Sequence, residues 1–437
     1  MSNQTAAEAG RGAAGPRRAA PVGLIVGAAD VALWHVPGNE RLLRLLRAAG
    51  VARRDIARVA DHKELSAWSE RVEPDRPVLI VNAGYLFEPR TLAPLAGGRE
   101  PLVLVVPVDD DAPGRIAAAR VAAEDAAPVA RAVLDDQPVA SLDAPLRNAV
   151  LGAGKLGGHD ARLRRVGAPL LERLSADRVE ELESELYGNA YKGVTDAITK
   201  WLWPRPAALL VRACARLGLT PNAVTGASLL LVIFAGWMFY QGAWLPGLLA
   251  AWIMTLLDTV DGKLARVTVQ SSRVGDVFDH GIDLVHPPFW YLAWALGTNG
   301  TGVVQGLDPG ELALLIFAPY IGGRLIELAF GLACGGSLFT FRPFDSWFRL
   351  IAARRNPNLV ILSASVVVGR PDVGVLGVIV WSILSTLIEA VRLADGIRAR
   401  LRTGRPLVAW LGREPCRRRH PVSFRIFSTT RGAYGRR

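Results

Sequence analysis

At 437 residues, with 51% hydrophobic and 21% charged residues, the chain is long for one compact domain, and its apolar content must be concentrated in part of it. The three cysteines, Cys214, Cys334 and Cys416, are too few and too scattered for a disulfide framework or a cysteine metal site. A net charge of +11 suits nucleic acid, anionic lipid or membrane-flanking loops; because the basic residues lie between apolar spans, lipid is the better fit and no nucleic-acid partner is expected.

Residues 1–20, rich in Ala, Gly and Arg, have too little apolar content to fold and read as a disordered tail. Arg17-Arg18 followed by Pro21–Val26 begins like a signal sequence, but the apolar run breaks at Asp30, so the first strand of a soluble domain is the better reading. That domain is expected over 21–188. Up to about residue 135, short apolar runs at Leu24–Val26, Val78–Val81 and Leu102–Val106 alternate with helical stretches such as Glu40–Ala49, the pattern of a parallel, doubly wound α/β sheet. Residues 136–190 read as helical and polar, with Asp177–Glu185 a solvated helix face.

Over 189–219, the segment Lys192–Pro204 pairs Trp201 and Trp203 with Lys192 and Lys200, as a helix lying among lipid headgroups would; a plain linker helix is the alternative. After Pro221, apolar stretches near 224–241, 243–260, 277–297, 311–333, 358–369 and 372–394 predict a membrane domain of about six helices over 220–396, ahead of a basic tail at 397–437. The loops at 262–276 and 334–357 and the tail are basic, while the turns at 241–246 and 298–310 contain no Lys or Arg. The positive-inside bias therefore puts both termini, and the loop joining the second and third spans, in the cytoplasm.

That loop lies within Asp258-Thr-Val-Asp261-Gly262-Lys-Leu-Ala265-Arg266, eight further residues, then Gly275-Asp-Val-Phe-Asp279-His-Gly-Ile-Asp283. The i,i+3 pair Asp258/Asp261 and the i,i+4 pair Asp279/Asp283 each share a helix face, so a helical hairpin aims four carboxylates at one place. Such a cluster needs a cation, since desolvation and mutual repulsion both oppose ionisation. Hard oxygen ligands suit Mg²⁺ or Mn²⁺, and two such ions can grip a pyrophosphate during an in-line displacement. Gly262 and Ala265 leave room for a nucleotide, and Arg266 is placed to neutralise phosphate. A single intramembrane aspartate would suit a packing hydrogen bond or a transporter's proton relay; four at this spacing point to metal chemistry.

These residues match the D-x2-D-G-x2-A-R-x8-G-x3-D-x3-D signature at every defining position, and the chain over roughly 190–400 resembles the CDP-alcohol phosphatidyltransferase family. The resemblance implies a six-helix membrane domain that cleaves a CDP-linked donor, passes the substituted phosphate to an acceptor hydroxyl and releases CMP in phospholipid biosynthesis. It further implies Asp258, Asp261 and Asp279 as metal ligands, Asp283 as general base, Gly262, Ala265, Arg266 and Gly275 as the lining of the CDP site, and a possible homodimer. Thr220–Thr225 resembles the family's T-P-N-x-V-T opening of the first span, where Asn222 and Thr225 either touch the nucleotide or cap the helix. A carboxylate beside two cations is a poor base unless the acceptor hydroxyl is itself acidified, so the base assignment comes from the resemblance. The donor is CDP-diacylglycerol or a CDP-polyol, and the acceptor a polyol phosphate, an amino alcohol or a lipid alcohol. A non-catalytic scaffold or a transporter with an acidic intramembrane site is the alternative.

Lesser candidates follow. Arg324 and Glu327 either contact an acceptor head group or pair with each other. Arg342, Arg349, Arg354 and Arg355 read as acceptor-phosphate ligands or as topology signals beside anionic lipid, and Arg417–Arg419 as a lipid-surface patch. His280 and His286 are expected to pack. The stretches Leu24–Val26, Glu40–Val51 and Val78–Phe87 loosely resemble a sugar-phosphate nucleotidyltransferase, but Gly27–Gly38 lacks the Gly-rich loop's Arg and Pro-Lys, and Asn82-Ala83-Gly84-Tyr85 stands where a metal-binding Asp is expected. The domain is read as non-catalytic.

Overall fold

The computed structural model describes residues 20–98, 100–107, 114–156, 158–271, 273–300 and 302–428, without the side chains of residues 153, 154, 273, 274, 276, 279 and 280. Nearly all of the expected 1–20 tail, and the side chains of Asp279 and His280, lie outside the described set. Two compact units form: one takes residues up to Asp30, Gly38–Leu156 and Leu171–Leu174; the other takes Val31–Pro37, Gly157–Leu170 and residues from Ser175 onward.

The first unit runs β1 (Val22–Val26), α1 (Gly38–Ala48), β2 (Ile56–Val59), α2 (His62–Ser69), β3 (Val78–Asn82), β4 (Tyr85–Phe87), α3 (Pro89–Gly97), β5 (Leu102–Val106), β6 (Arg115–Val121), α4 (Ala123–Leu134), α5 (Ala144–Asn148) and β7 (Val150–Gly152). Its six-stranded sheet has the order β2-β1-β3-β6-β5-β7. The sheet is mixed rather than wholly parallel, which corrects the expectation: β1 is parallel to β2 and β3, and β7 to β5, but β6 is antiparallel to both β3 and β5. Residues 107–114 between β5 and β6 are too few for a parallel crossover, which needs about a dozen. Apolar strand runs are buried on both faces either way, so they do not reveal strand direction. Leu24, Ile80, Val103 and Ala119 from the sheet meet Ala126 and Val129 from α4 in the core.

Residues 136–190 are not mainly helical as expected. They hold α5 and β7, a hairpin of β8 (Gly158–Asp160) and β9 (Arg165–Gly167), then β10 (Leu171–Arg173), which pairs with β4, and finally α6 (Val179–Asn189). Three-residue strands are too short to display the period-2 alternation by which a strand is recognised.

The second unit continues with α7 (Pro204–Arg216), α8 (Pro221–Tyr240), α9 (Trp244–Val267), α10 (Arg273–Gly297), α11 (Pro309–Cys334), α12 (Pro343–Arg349), α13 (Arg355–Val367), α14 (Pro371–Thr403), α15 (Glu414–Arg419) and α16 (Pro421–Ser428). Proline opens α7, α8, α11, α12 and α14, where its missing N–H costs nothing and its fixed φ suits the first turn. Asp308 and Glu311 close a capping box on α11, and Gly335, at φ 80°, ends that helix in the left-handed conformation.

Among the described residues three helices, α8, α11 and α14, are long and apolar enough to cross a membrane by length and composition. The 24-residue α9 and 25-residue α10 occupy the second and third expected stretches and carry the aspartate signature. Helix α13 has 13 residues, about 20 Å of rise against a hydrocarbon core of about 30 Å. Phe239, Trp290 and Trp294 lock α8 to α10, with the Trp290 indole donating 2.8 Å to the Val232 carbonyl. Ahead of α7, a wide helical turn at Ile198–Leu202 turns Lys200 inward, where it donates 2.8 Å to the Gly193 carbonyl, and Trp203 packs edge-on against Trp252. Trp201 is the exposed member of that quartet's two tryptophans.

Candidate active site

Helix α9 presents Asp258 and Asp261 on adjacent turns, and α10 presents Asp283. Asp261 is buried and accepts a 2.7 Å hydrogen bond from the Thr225 hydroxyl of α8. Thr225 thus orients a signature carboxylate, while Thr220, whose hydroxyl accepts from the Ala223 N–H, caps α8. Asn222 is exposed in the first turn of α8.

Asp258 and Asp283 share one cation. Arg355, the first residue of α13, donates Nη2 to Asp258 Oδ2 at 2.6 Å and Nη1 to Asp283 Oδ1. Asp283 has a side chain 41% exposed against 18% for Asp258, so it is the carboxylate that a dissolved hydroxyl reaches more easily. The Tyr320 hydroxyl of α11 donates 2.9 Å to the Leu284 carbonyl, tying α10 to α11 beside it.

These groups open on a cavity of about 370 Å³. Asp258, Asp283 and Arg266 line it, as do Arg324, Arg349, Arg354 and Arg355. Gly262, Ala265, Gly275, Asn222 and Thr225 do not touch it. Gly262 instead gives the Arg266 guanidinium its room: a Cβ there would lie 3.1 Å from Arg266 Nη2. Arg324 and Glu327 do pair, at 3.5 Å, and Glu327 also receives Arg354. Arg342 turns to Asp395 at 3.0 Å. His286 packs on Trp290 with its Nδ1 at 2.6 Å from the Ile282 carbonyl.

The sequence reading missed the contribution of the segment before α7. Lys192, Thr195, Asp196 and Thr199 line the same cavity. Asp196 accepts from the Thr199 N–H and from the Asn356 amide, both at 2.9 Å. Burial opposes its ionisation, but Arg349 and these hydrogen bonds prevail and hold it below the usual carboxylate range. Lys192, exposed along the cavity that it lines, is lowered to about 8 by the protein atoms crowded around it and then by Arg266 and Arg164. The available signal was a Thr-Asp pair breaking an otherwise amphipathic stretch.

Among the described residues no three acidic, histidine or cysteine side chains stand close enough to hold an ion together. The donor set nevertheless fits one in kind. Asp258, Asp261 and Asp283 offer only hard oxygens, and two of them already share a positive charge, so Arg355 stands in for the cation that the carboxylates require.

Residues 218–322 match the family model described as CDP-alcohol phosphatidyltransferase. Cholinephosphotransferase 1 of Danio rerio is 31% identical over 131 residues, which is 27% of this chain and 32% of that protein. The Gallus gallus protein of the same name is 33% identical over 141 residues, 29% of this chain and 41% of its own. Archaetidylinositol phosphate synthase of Pyrococcus horikoshii is 34% identical over 94 residues, 21% of this chain and 50% of its own. The similarity thus spans half or less of each of these relatives.

Proposed function

We propose that this chain, whose residues 218–322 form a CDP-alcohol phosphatidyltransferase domain, is a metal-dependent membrane enzyme that transfers a substituted phosphate from a CDP-alcohol to an acceptor hydroxyl. The observation that carries the reading is the meeting of signature carboxylates from α9 and α10 with Arg266 in one cavity, around a shared cation. In the reaction the acceptor oxygen forms a bond to the phosphorus bearing the donor alcohol, the pyrophosphate P–O bond to CMP breaks, and CMP leaves with the bridging oxygen.

Asp258, Asp261 and Asp279 would hold Mg²⁺ or Mn²⁺, two ions in all, whose chemistry is to neutralise the pyrophosphate oxygens. Arg266 pairs with the donor phosphates, with Gly262 clearing its path; Ala265 and Gly275, which lie off the cavity wall, are the nucleotide's neighbours only as the family resemblance implies. Asp283 takes the acceptor's hydroxyl proton, a role that its greater exposure supports. Thr225 fixes the orientation of Asp261. The membrane domain has six helices with both termini and the site on the cytoplasmic side, and a homodimer is the expected assembly. The sheet unit, a degenerate nucleotidyltransferase in this reading, is not catalytic.

Purified protein supplied with Mg²⁺ or Mn²⁺, a CDP-diacylglycerol or CDP-polyol donor and a panel of alcohols should release CMP, and Asp279→Ala should abolish release. Failure to release CMP from any donor would return the site to the scaffold or transporter reading.

A further inference from the structure

Seven basic and three acidic side chains line the cavity among the described residues, and the basic ones are unequally compensated. Arg355 is held by Asp258 and Asp283, and Arg354 by Glu327. Arg349 and Lys192 have no carboxylate within ion-pair distance among the described residues. Arg349 Nη1 is buried without a hydrogen-bond partner, and Asp196, the carboxylate that Arg349 feels most, already serves Thr199 and Asn356. A buried guanidinium nitrogen with nothing to donate to is costly unless a ligand completes it.

A further cation comes from the β8–β9 hairpin. Arg164 stands at its tip with φ 49°, in the left-handed region, and is pushed down to about 10 by burial and then by Arg349 and Arg324. Non-glycine residues seldom adopt that backbone, yet the tip holds Arg164 in it, and gathering like charges there is unfavourable without an anion. The tip is firmly set. Asp160 Oδ1 accepts from the N–H groups of Arg162 and Leu163, both at 3.0 Å, and the Gly193 N–H donates 2.9 Å to the Leu163 carbonyl. A Cβ on Gly193 would fall 2.9 Å from that of Arg165, so only glycine lets the hairpin sit directly beside Lys192.

Lys192, Arg349 and Arg164, and Arg324 as well, lie outside the stretch that the family model matches, whereas Arg266, proposed for the donor, lies inside it. We propose that Lys192, Arg324 and Arg349, backed by Arg164 on the hairpin tip, bind a phosphomonoester carried by the acceptor, so that the second substrate is a phosphorylated alcohol. A phosphomonoester brings nearly two negative charges and three strong acceptor oxygens, which matches an excess of donors that an uncharged alcohol or a cationic amino alcohol would leave unanswered. The inference rests on the phosphotransferase reading and names its acceptor class.

The test compares acceptors differing only in that group: glycerol 3-phosphate against glycerol, inositol 1-phosphate against inositol, and, in vesicles, lysophosphatidate against monoacylglycerol. CMP release from each donor should be at least about tenfold faster with the phosphorylated member, and the third pair separates a lipid-borne phosphate from a soluble one. Arg349→Gln should raise the acceptor KM about tenfold while kcat and the donor KM move less than about threefold, and Arg349→Lys should recover part of the loss. Equal rates within every pair, or a fall in kcat with no change in acceptor KM, would overturn the proposal. A separate arm measures inorganic phosphate binding to the full chain in EDTA by equilibrium dialysis. Binding weakened about tenfold in Arg349→Gln supports the anion site even if no donor yields CMP, a result that sinks the phosphotransferase reading alone; equal binding by both proteins, or none by the wild type, sinks the site.

Discussion

The two units put their buried charges to different uses. In the sheet unit the core is Leu24, Ile80, Val103 and their neighbours, and its buried and half-buried charges serve the fold: Arg120 donates 3.1 Å to the Leu95 carbonyl, Glu88 pairs with Arg90 at 2.7 Å, and Asp55 with Arg76 at 2.7 Å. Asn82 uses its amide on its own fold: Nδ2 donates to the Ile116 carbonyl and Oδ1 accepts from the Gly84 N–H, both at 2.9 Å. In the helical unit Asp261, Lys263, Arg354 and Glu389 are all buried within or beside apolar helices. Burying charge costs several kcal/mol per ion before compensation; the sheet unit compensates its buried charges within the fold, whereas the helical unit turns Lys263 and Arg354 to the same cavity as Asp258 and Asp283, which marks where chemistry is selected over packing.

The contrast breaks most visibly by mutation. Asp258→Asn should lower CMP release about 10³-fold, because it removes charge from the group that must balance the cation, while leaving the helical packing intact. Ile80→Ala, in a fully buried strand position, should cost the sheet unit about 2–5 kcal/mol, read as faster hydrogen exchange in β1 and β3, and leave CMP release within about threefold. A large loss of activity from Ile80→Ala would mean that the sheet unit takes part in the reaction after all.

The asymmetry also governs what the sequence reveals. Asp258, Asp261 and Asp283 were legible because charges are so rare in apolar spans that their spacing stands out. Arg355 was legible only as one of several loop arginines; that it bridges Asp258 and Asp283 depends on α13 meeting α9 and α10, across 97 and 72 residues of chain. Asp196 and Lys192 were hidden for a related reason: an amphipathic pattern says that a face is polar, not that it lines a cavity. In the sheet unit, β1, β3 and β5 were evident from their apolar runs, whereas the antiparallel placement of β6 resides in tertiary pairing; the three-residue strands of the β8–β9 hairpin are too short to show an alternation.

A milder effect follows from the bridging guanidinium. A metal ion held by Asp258 must displace Arg355 from that carboxylate, so the two cations compete for its oxygens. Arg355→Gln should therefore bind Mn²⁺ about tenfold more tightly, as read from the loss of the free-ion electron paramagnetic resonance signal, and should be less heat-stable than the wild type in EDTA. Unchanged Mn²⁺ affinity would show that the arginine does not act as the site's internal counter-cation.

The smallest effect is a pH dependence centred on Lys192. The protein atoms crowded around it, then Arg266 and Arg164, bring its ammonium down from 10.5 to about 8 in the folded chain. The unfolded chain then binds more protons between about pH 8 and 10.5, so this lysine's destabilising contribution is fully present below pH 8 and fades as pH rises toward 10.5. Lys192→Met should remove that portion of the rise, so the difference in thermal midpoint, variant minus wild type, should be largest near pH 7 and shrink steadily toward pH 10. Added phosphate should compress it further at pH 7, because an anion beside the ammonium restores its affinity for the proton. A difference that stays flat across this range would place Lys192 in ordinary solvent, away from the hairpin arginine and its neighbours.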